Sequence, residues 1–266
     1  MADADFTGSV PQFYDRYLGP FLFEPYAKDL ARRLDGFDGE LLEVAAGTGV
    51  VTRALDAALP AGARIVATDL NPAMLDHAAS GLSSPRVSWR PADGQALPFA
   101  DAAFDAVVCQ FGVMFFPDRA AGFAEARRVL RPGGRYLFNV WDSLAENEET
   151  AIVHEAVATL FPEDPPGFLA RTPFAYSDKD RIRADLQAAG FRSIEIETVR
   201  KMAHAPAAGD IATGYCNGSP LRAEIEARDP QGVTRAAEAA TRALEARYGQ
   251  GPIEAPIQAH VITTRP

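Results

Sequence analysis

The chain has 266 residues, of which 47% are hydrophobic, and its formal net charge is −10. That length is ample for one α/β domain with a buried core, and the acidic balance excludes a general nucleic-acid-binding surface. Two cysteines make neither a disulfide framework nor a metal cluster, so we expect no metal and a reducing, cytoplasmic compartment. The acidic residues 1–5 lack the pattern of a signal peptide, and no apolar run reaches membrane length.

The first predicted elements are a strand, a glycine-rich turn and a helix. Residues 41–45 are apolar except for Glu43, which is typical of a buried strand. Gly47 and Gly49 follow, and glycine lets a backbone approach a ligand without interference from a Cβ atom. Residues 50–59 then read as a helix whose N-terminus faces the same crevice.

The second predicted strand, residues 64–68, ends at Asp69. A carboxylate in that position can accept hydrogen bonds from both hydroxyls of a ribose. Asn71 then caps a helix that begins at Pro72. This order of elements predicts a site for a nucleoside.

Strands and helices continue to alternate up to about residue 142, which predicts a parallel sheet covered on both faces. Asp118 is expected to cap a helix that the run Arg131-Pro132-Gly133-Gly134 ends. The remaining predicted elements are a strand at 87–90, a strand at 104–110, a strand at 135–141, a helix after Asp178, a strand at 194–199 and a last strand at 257–263.

The glycine turn fits a dinucleotide poorly. A dinucleotide site needs the pattern G-x-G-x-x-G, and Thr52 stands where the third small residue is required. The carboxylate of Glu43 would also repel a diphosphate, whereas it suits a ligand with an ammonium group. S-adenosylmethionine carries an ammonium and a sulfonium, so these residues favour it over a nicotinamide cofactor.

Four segments between Leu41 and Asp142 together resemble the class I S-adenosylmethionine-dependent methyltransferases. The pattern is most similar to the small-molecule branch that contains the ubiquinone and menaquinone C-methyltransferases. The segments are 43–49, 67–75, 92–99, and the pair 104–108 with 130–134. The resemblance implies a doubly wound, Rossmann-like α/β fold with a seven-stranded sheet in the order 3-2-1-4-5-7-6, the last strand antiparallel, and helical lid insertions. Ala45 replaces the first glycine of the family's loop, a change the family tolerates.

The resemblance also implies which residues contact S-adenosylmethionine and its product S-adenosylhomocysteine. Glu43 would hold the ammonium, Asp69 the ribose and Asp93 the adenine amine. Gln110 and Phe111, at the exit of the fourth strand, would line the methyl-transfer pocket. The other expected cofactor contacts are Ala45, Gly47, Thr48, Gly49, Leu70, Met74, Gly94 and Gln95.

Three segments do not fit the alternating core and are predicted to form a lid. They are residues 1–36, 143–176 and 205–249, around a core of 37–142, 177–204 and 250–266 in a single methyltransferase domain. Aromatic residues in these segments can wall an apolar pocket. They are Phe13, Tyr14, Tyr17, Phe161, Phe168, Phe174, Tyr176 and Tyr215. A plain covering of the sheet or a homodimer interface is the alternative use of the same segments.

The sequence therefore predicts methyl transfer by in-line displacement to a small, largely apolar acceptor with an oxygen, carbon or nitrogen nucleophile. Such a reaction needs orientation and dehydration, and no particular catalytic side chain is required. His154, Tyr14 and Tyr17 are the candidates for a catalytic group. A catalytically silent cofactor-binding subunit and a methyltransferase acting on protein or RNA remain the alternatives.

Overall fold

The computed structural model describes residues 8–266, so the acidic residues 1–5 and the start of the predicted arm lie outside it. Seven strands form one sheet in the order β3-β2-β1-β4-β5-β7-β6. They are β1 (Glu40–Val44), β2 (Arg64–Asp69), β3 (Val87–Pro91), β4 (Phe104–Gln110), β5 (Leu130–Trp141), β6 (Ser193–Ala205) and β7 (Ile253–Arg265).

The predicted strand order and the antiparallel last strand are both confirmed. β1 pairs in parallel with β2 and with β4, while β7 runs antiparallel to β5 and to β6. The chain order reverses between β1 and β4. In open α/β sheets, the crevice at the carboxyl ends of the strands on either side of such a point binds ligands.

Helices cover both faces of the sheet and fill the three segments outside the alternating core. They are α1 (Val10–Phe13), α2 (Glu24–Arg33), α3 (Val50–Ala58), α4 (Pro72–Gly81), α5 (Arg119–Val129), α6 (Glu148–Thr159), α7 (Phe168–Arg171), α8 (Lys179–Ala188), α9 (Ala208–Gly218), α10 (Leu221–Arg228) and α11 (Gly232–Tyr248). A π-helix, Tyr14–Phe23, joins α1 to α2, and short 3₁₀ turns lie at Val113–Phe115 and Leu144–Glu146.

The predicted helix starts have the expected caps. The side chains of Asn71, Asp118 and Asp178 accept hydrogen bonds from backbone N–H groups in the first turns of α4, α5 and α8. Fifth-strand pairing begins earlier than expected, because β5 starts at Leu130 and includes the Pro-Gly-Gly run. A register shift opposite Phe104 and Ala106 accommodates those residues.

The N-terminal arm, residues 8–36, packs against the third insert through close backbone contact. A Cβ atom at Gly218 of α9 would lie 2.8 Å from the backbone nitrogen of Tyr14, so only glycine fits there. The side chain of Tyr26 in α2 donates to the carbonyls of Val199 and Ile257, at 2.9 and 3.1 Å. The arm is therefore anchored to both β6 and β7. In the described part of the chain, no helix is long and apolar enough to cross a bilayer.

Candidate functional site

A cleft of about 940 Å³ opens at the carboxyl ends of β1, β2 and β4. Ten of the thirteen residues predicted to contact the cofactor line it: Ala45, Gly47, Asp69, Leu70, Met74, Asp93, Gly94, Gln95, Gln110 and Phe111. Glu43 and Thr48 line a smaller adjoining cavity of about 30 Å³. Gly49 lines neither space, because it lies under the loop, where an added Cβ would be 3.0 Å from that of Ala78.

The glycine-rich loop after β1 is tied to the end of β2 by one carboxylate. Asp69 Oδ2 accepts the N–H of Gly47 at 2.8 Å, and its Oδ1 accepts the N–H of Asn71 at the same distance. Burial raises the pKa of Asp69, and these two N–H groups oppose that rise. Gly47 has a φ of 56°, and a Cβ added to it would meet no atom within 4 Å. The loop therefore turns an open backbone face toward the cleft.

Ala45 starts this loop in a conformation that glycine adopts more easily. Its φ is 57°, in the left-handed region that L-residues disfavour by about 1–2 kcal/mol. Its Cβ lies against Gly112, where an added Cβ would approach to 2.6 Å. Gly112, on the neighbouring loop, thus leaves room for the methyl group of Ala45, which replaces the first glycine of the family's loop.

Glu43 is a buried carboxyl group, with 1% of its surface exposed. The hydroxyl of Thr52 donates to its Oε2 at 2.7 Å. Burial, with a smaller contribution from the charge of Asp69, raises the pKa of Glu43 to about 8. The carboxyl group is therefore mostly protonated at neutral pH in the ligand-free protein. Thr52, which breaks the dinucleotide pattern, is the residue that holds this carboxyl group.

The small cavity beside Glu43 also contains an acceptor without a donor. Gln110 donates from its Nε2 to the carbonyl of Phe23 at 3.2 Å, while its Oε1 is buried and has no hydrogen-bond partner among residues 8–266. A buried polar atom without a partner costs about 1–3 kcal/mol. Both the carboxyl group and the amide oxygen therefore favour a ligand that brings hydrogen-bond donors.

The opposite end of the cleft is formed by the turn after β3. Asp93 Oδ1 accepts from the backbone N–H and the Nε2 of Gln95, at 2.8 and 3.1 Å. Gln95 Oε1 in turn accepts the N–H of Asp118 at 2.8 Å, which links this turn to α5. Leu70 leaves 60% of its surface exposed beside the cleft, while Met74 is buried below it. The exposed side chain of Leu70 can pack against the face of a flat ring, while the nearby carboxylates can accept hydrogen bonds from polar groups at the edge of the ring.

The N-terminal arm closes the cleft on the side of the glycine loop. Tyr14 lines the cleft and the small cavity, and it stacks on Phe23 with ring centroids 4.7 Å apart. The next residue, Asp15, forms an ion pair with Arg53 at 2.9 Å and a hydrogen bond with His77 at 3.2 Å. Burial raises the pKa of the Tyr14 phenol, so it stays neutral at physiological pH.

The other two candidates for a catalytic group lie away from these spaces. Tyr17 stacks on Phe13 with ring centroids 6.0 Å apart, and His154 lies in the middle of α6. Neither side chain lines a cavity identified among residues 8–266. Of the three candidates, the structure brings only Tyr14 to the cleft.

A second, apolar cavity of about 50 Å³ adjoins the cleft, and the two share Tyr14, Phe111, Met114, Phe115 and Pro220. Tyr14, Phe168, Phe174 and Tyr215 are the predicted lid aromatics that line this cavity, whereas Phe13, Tyr17, Phe161 and Tyr176 do not. All three inserts contribute to its wall.

Sequence reasoning missed Trp141, which forms the base of this apolar cavity. Its ring stacks on that of Phe111 with centroids 3.9 Å apart and planes at 8°. Phe111 has a φ of 51°, and its N–H donates to both the carbonyl and the side-chain oxygen of Asn139. The position of Trp141 in the sequence could have indicated this role. Trp141 is the last residue of β5, and Gln110 is the last residue of the neighbouring strand β4.

Comparison with known proteins agrees with this geometry. The family described as "Methyltransferase domain" matches residues 42–138. A demethylmenaquinone methyltransferase of Corynebacterium kroppenstedtii is 34% identical over 179 residues, which cover 64% of this chain and 75% of that protein. The chain belongs to the class I S-adenosylmethionine-dependent methyltransferases. The chain is also 43% identical to the ubiquinone/menaquinone biosynthesis C-methyltransferase of Paracoccus denitrificans over 106 residues. This match covers 38% of this chain and 42% of that relative.

Solved structures confirm the fold of this methyltransferase over nearly the whole chain. A phosphoethanolamine N-methyltransferase of Haemonchus contortus, solved in complex with S-adenosyl-L-methionine, superposes with a TM-score of 0.62 at 16% identity. The match covers 99% of this chain and 58% of that one. At this identity the likeness establishes the Rossmann-like methyltransferase fold.

Proposed function

We propose that this methyltransferase uses S-adenosylmethionine, bound along the cleft with its methionine end in the small cavity at Glu43. The observation that carries the proposal is a buried carboxyl group with a raised pKa beside the unpartnered Oε1 of Gln110. A diphosphate offers no donor to the oxygen of Gln110, whereas an ammonium offers three donors and also stabilises the ionised form of Glu43.

The remaining cleft residues fit the rest of that molecule. Asp69 keeps lone pairs for the ribose hydroxyls after accepting from Gly47 and Asn71. Asp93 suits the adenine amine, with Leu70 and Met74 against the ring. The open backbone at Gly47, with Thr48 next to it, borders the methionine portion.

For the acceptor, we propose a small, largely apolar molecule that enters the apolar cavity shared by the three inserts. Bound S-adenosylmethionine supplies the methyl group as an electrophile on a positively charged sulfur. Phe111 and Met114 border both spaces, and a nucleophile held at that junction lies in reach of the cleft. Tyr14 and Pro220 line the same junction, and with both ligands bound they would help to exclude water, which favours a displacement that disperses charge.

The same proposal describes the chain as one methyltransferase unit with a core of residues 37–142, 177–204 and 250–266. Residues 8–36, 143–176 and 205–249 then act as its cap. Cys109 and Cys216 are buried free thiols, which fits a reducing cytoplasm. A homodimer through the cap remains an alternative use of these segments.

Calorimetry and product analysis test this function. S-adenosylhomocysteine should bind to the purified protein, and NADH should not; the reverse result would contradict the cofactor assignment. Incubation with labelled S-adenosylmethionine and a panel of phenols, quinols, carboxylates, amines and thiols should give a methylated small molecule by mass spectrometry. Binding without any methylated product would favour the silent subunit, and label in added protein or RNA would favour the macromolecular alternative.

A further inference from the structure

One short segment of the second insert separates the cleft from the apolar cavity. Within residues 168–174, the side chains of Phe168, Leu169, Pro173 and Phe174 line the apolar cavity, whereas Arg171 and Thr172 line the cleft. A ligand whose apolar end fills the cavity therefore has its other end next to a cation. The same segment thus presents apolar side chains to the cavity and polar or charged side chains to the cleft.

A second cation, Arg119, also lines the cleft. Its guanidinium lies 4.4 Å from the ring centroid of Tyr176. Arg119 forms no ion pair with a carboxylate in the part of the chain that the structure describes. Arg128 on the same helix differs, because it pairs with Glu125 and Asp101. A stacked guanidinium keeps its edge N–H donors available for an anion.

Glu224 fixes the position of Arg171 and completes this wall. Its Oε1 accepts from Arg171 Nη2 at 2.8 Å, and its Oε2 accepts the N–H groups of Gly167 and Phe168 at 2.8 and 3.0 Å. Three donors thus share the charge of this carboxylate. Asp69 and Asp93, the other carboxylates of the cleft, lie at the ends proposed for the ribose and adenine.

We propose that the methyl acceptor is an amphiphile with an anionic head, a carboxylate or a phosphate, which Arg119 recognises while the apolar body lies along the cleft and its end enters the apolar cavity. This inference rests on the proposed function and refines its acceptor class. S-adenosylmethionine has a net charge of +1, since its sulfonium and ammonium exceed its one carboxylate, so it adds to the attraction for an anion. The other role open to Arg119 is to hold Tyr176 and the second insert in place.

Three probes with the same eight-carbon tail separate these roles. Octanoate, octyl phosphate and octanol are titrated by calorimetry into the full chain at low ionic strength, with and without saturating S-adenosylhomocysteine. We expect at least one anionic probe to bind about tenfold more tightly than octanol. Octanoate and octyl phosphate distinguish a carboxylate head from a phosphate head. Equal or tighter binding of octanol, or no binding of either anion, would overturn the proposal.

Two arginine variants on the same helix provide the matched comparison. Arg119→Gln keeps most of the side chain and should weaken the preferred anion about five- to tenfold, with octanol unchanged. Arg127→Gln removes an exposed arginine of α5 that does not line the cleft, and should leave all three probes unchanged. Equal losses in both variants would show a general charge effect and refute the site. If Arg119→Gln instead weakens octanol as much as the anion, the arginine only holds the insert.

Binding of S-adenosylhomocysteine, measured alone, keeps the two proposals distinguishable. Binding of S-adenosylhomocysteine without binding of any anionic probe would support the cofactor assignment and contradict the proposal of an anionic acceptor. A protein that binds an anion through Arg119 but no S-adenosylhomocysteine retains this site and loses the cofactor assignment.

Discussion

The cleft and the adjoining apolar cavity are lined by different kinds of groups. The proposed cofactor side uses backbone N–H groups and short carboxylates at strand ends, such as Gly47 and Asp69, which are 22 positions apart in the chain and hydrogen-bonded in space. The proposed acceptor side, the wall of the apolar cavity, uses large rings from all three inserts together with Trp141 and Phe111. Local chain geometry fixes the first wall, whereas the second depends on which inserts pack together. We therefore expect substitutions on the two walls to affect different measured quantities.

The largest effect is expected on the acceptor side, from Trp141→Ala. Removing a buried tryptophan costs about 3–5 kcal/mol of unfolding free energy, and Trp141 contacts the rings of Phe111, Tyr26 and Phe174. Urea denaturation should show this loss, while Trp141→Phe should recover much of it. Affinity for S-adenosylhomocysteine should change much less than stability. A large affinity loss with unchanged stability would mean that this wall also serves the cofactor.

Asp69→Ala tests the cofactor side in the converse way. The variant removes the proposed charged acceptor for the ribose and the hydrogen bonds to the N–H groups of Gly47 and Asn71, so affinity for S-adenosylhomocysteine should fall by about 1.5–3 kcal/mol, roughly 10- to 150-fold. Asp69→Asn should recover part of the loss. Calorimetry gives the affinities, and circular dichroism shows whether the fold is retained. An unchanged dissociation constant in a folded variant would remove Asp69 from the site.

Proton release on cofactor binding is the third test. In the free protein the pKa of Glu43 is raised to about 8, so its carboxyl group is protonated at pH 7. An ammonium favours the ionised carboxylate, so binding should release up to about one proton at pH 7, and affinity should increase from pH 6 to pH 8. Calorimetry in buffers of different ionisation enthalpy measures the released proton.

A second buried glutamate supplies the matched control for this release. Burial raises the pKa of Glu149 to about 7, but Glu149 lines none of the cavities described. Glu43→Gln should therefore abolish the release, while Glu149→Gln should preserve it. A binding enthalpy that is independent of the buffer in the unmodified protein would contradict an ammonium at Glu43.

The smallest effect is expected from Ala45→Gly. Glycine relieves the left-handed φ of 57° but loses more entropy on folding, so stability should change by no more than about 1 kcal/mol. Gly112→Ala should cost more, because its new Cβ would lie 2.6 Å from both the Cβ of Ala45 and the sulfur of Cys109. Thermal denaturation of the two variants checks this order. A larger loss for Ala45→Gly would mean that the alanine methyl contributes packing the loop requires.

The sheet order was predicted through the resemblance to the methyltransferase family, and most of the proposed cofactor contacts are at positions that the structure brings to one cleft. Glu43, Gly47 and Asp69 adjoin strand ends, and the order of parallel strands brings such ends to one edge of the sheet. The acceptor side was predictable only as a set of aromatic inserts. Trp141 and Glu224 were missed, because their roles depend on contacts between segments that are far apart in the chain. The uncompensated charge of Arg119 could not be inferred, since the positions of the carboxylates are known only in the folded chain.

The ring of Tyr14 bounds the cleft, the small cavity and the apolar cavity at once. Any ligand that displaces this ring changes the shape of all three spaces. If the proposed cofactor and acceptor each displace this ring, their binding is coupled, and linkage requires that each alter the affinity of the other by the same factor. Asp15, the residue after Tyr14, contacts Arg53 and His77, and these contacts tie the arm to α3 and α4. We therefore expect substitutions of Asp15 or Arg53 to change the coupling between cofactor binding and acceptor binding.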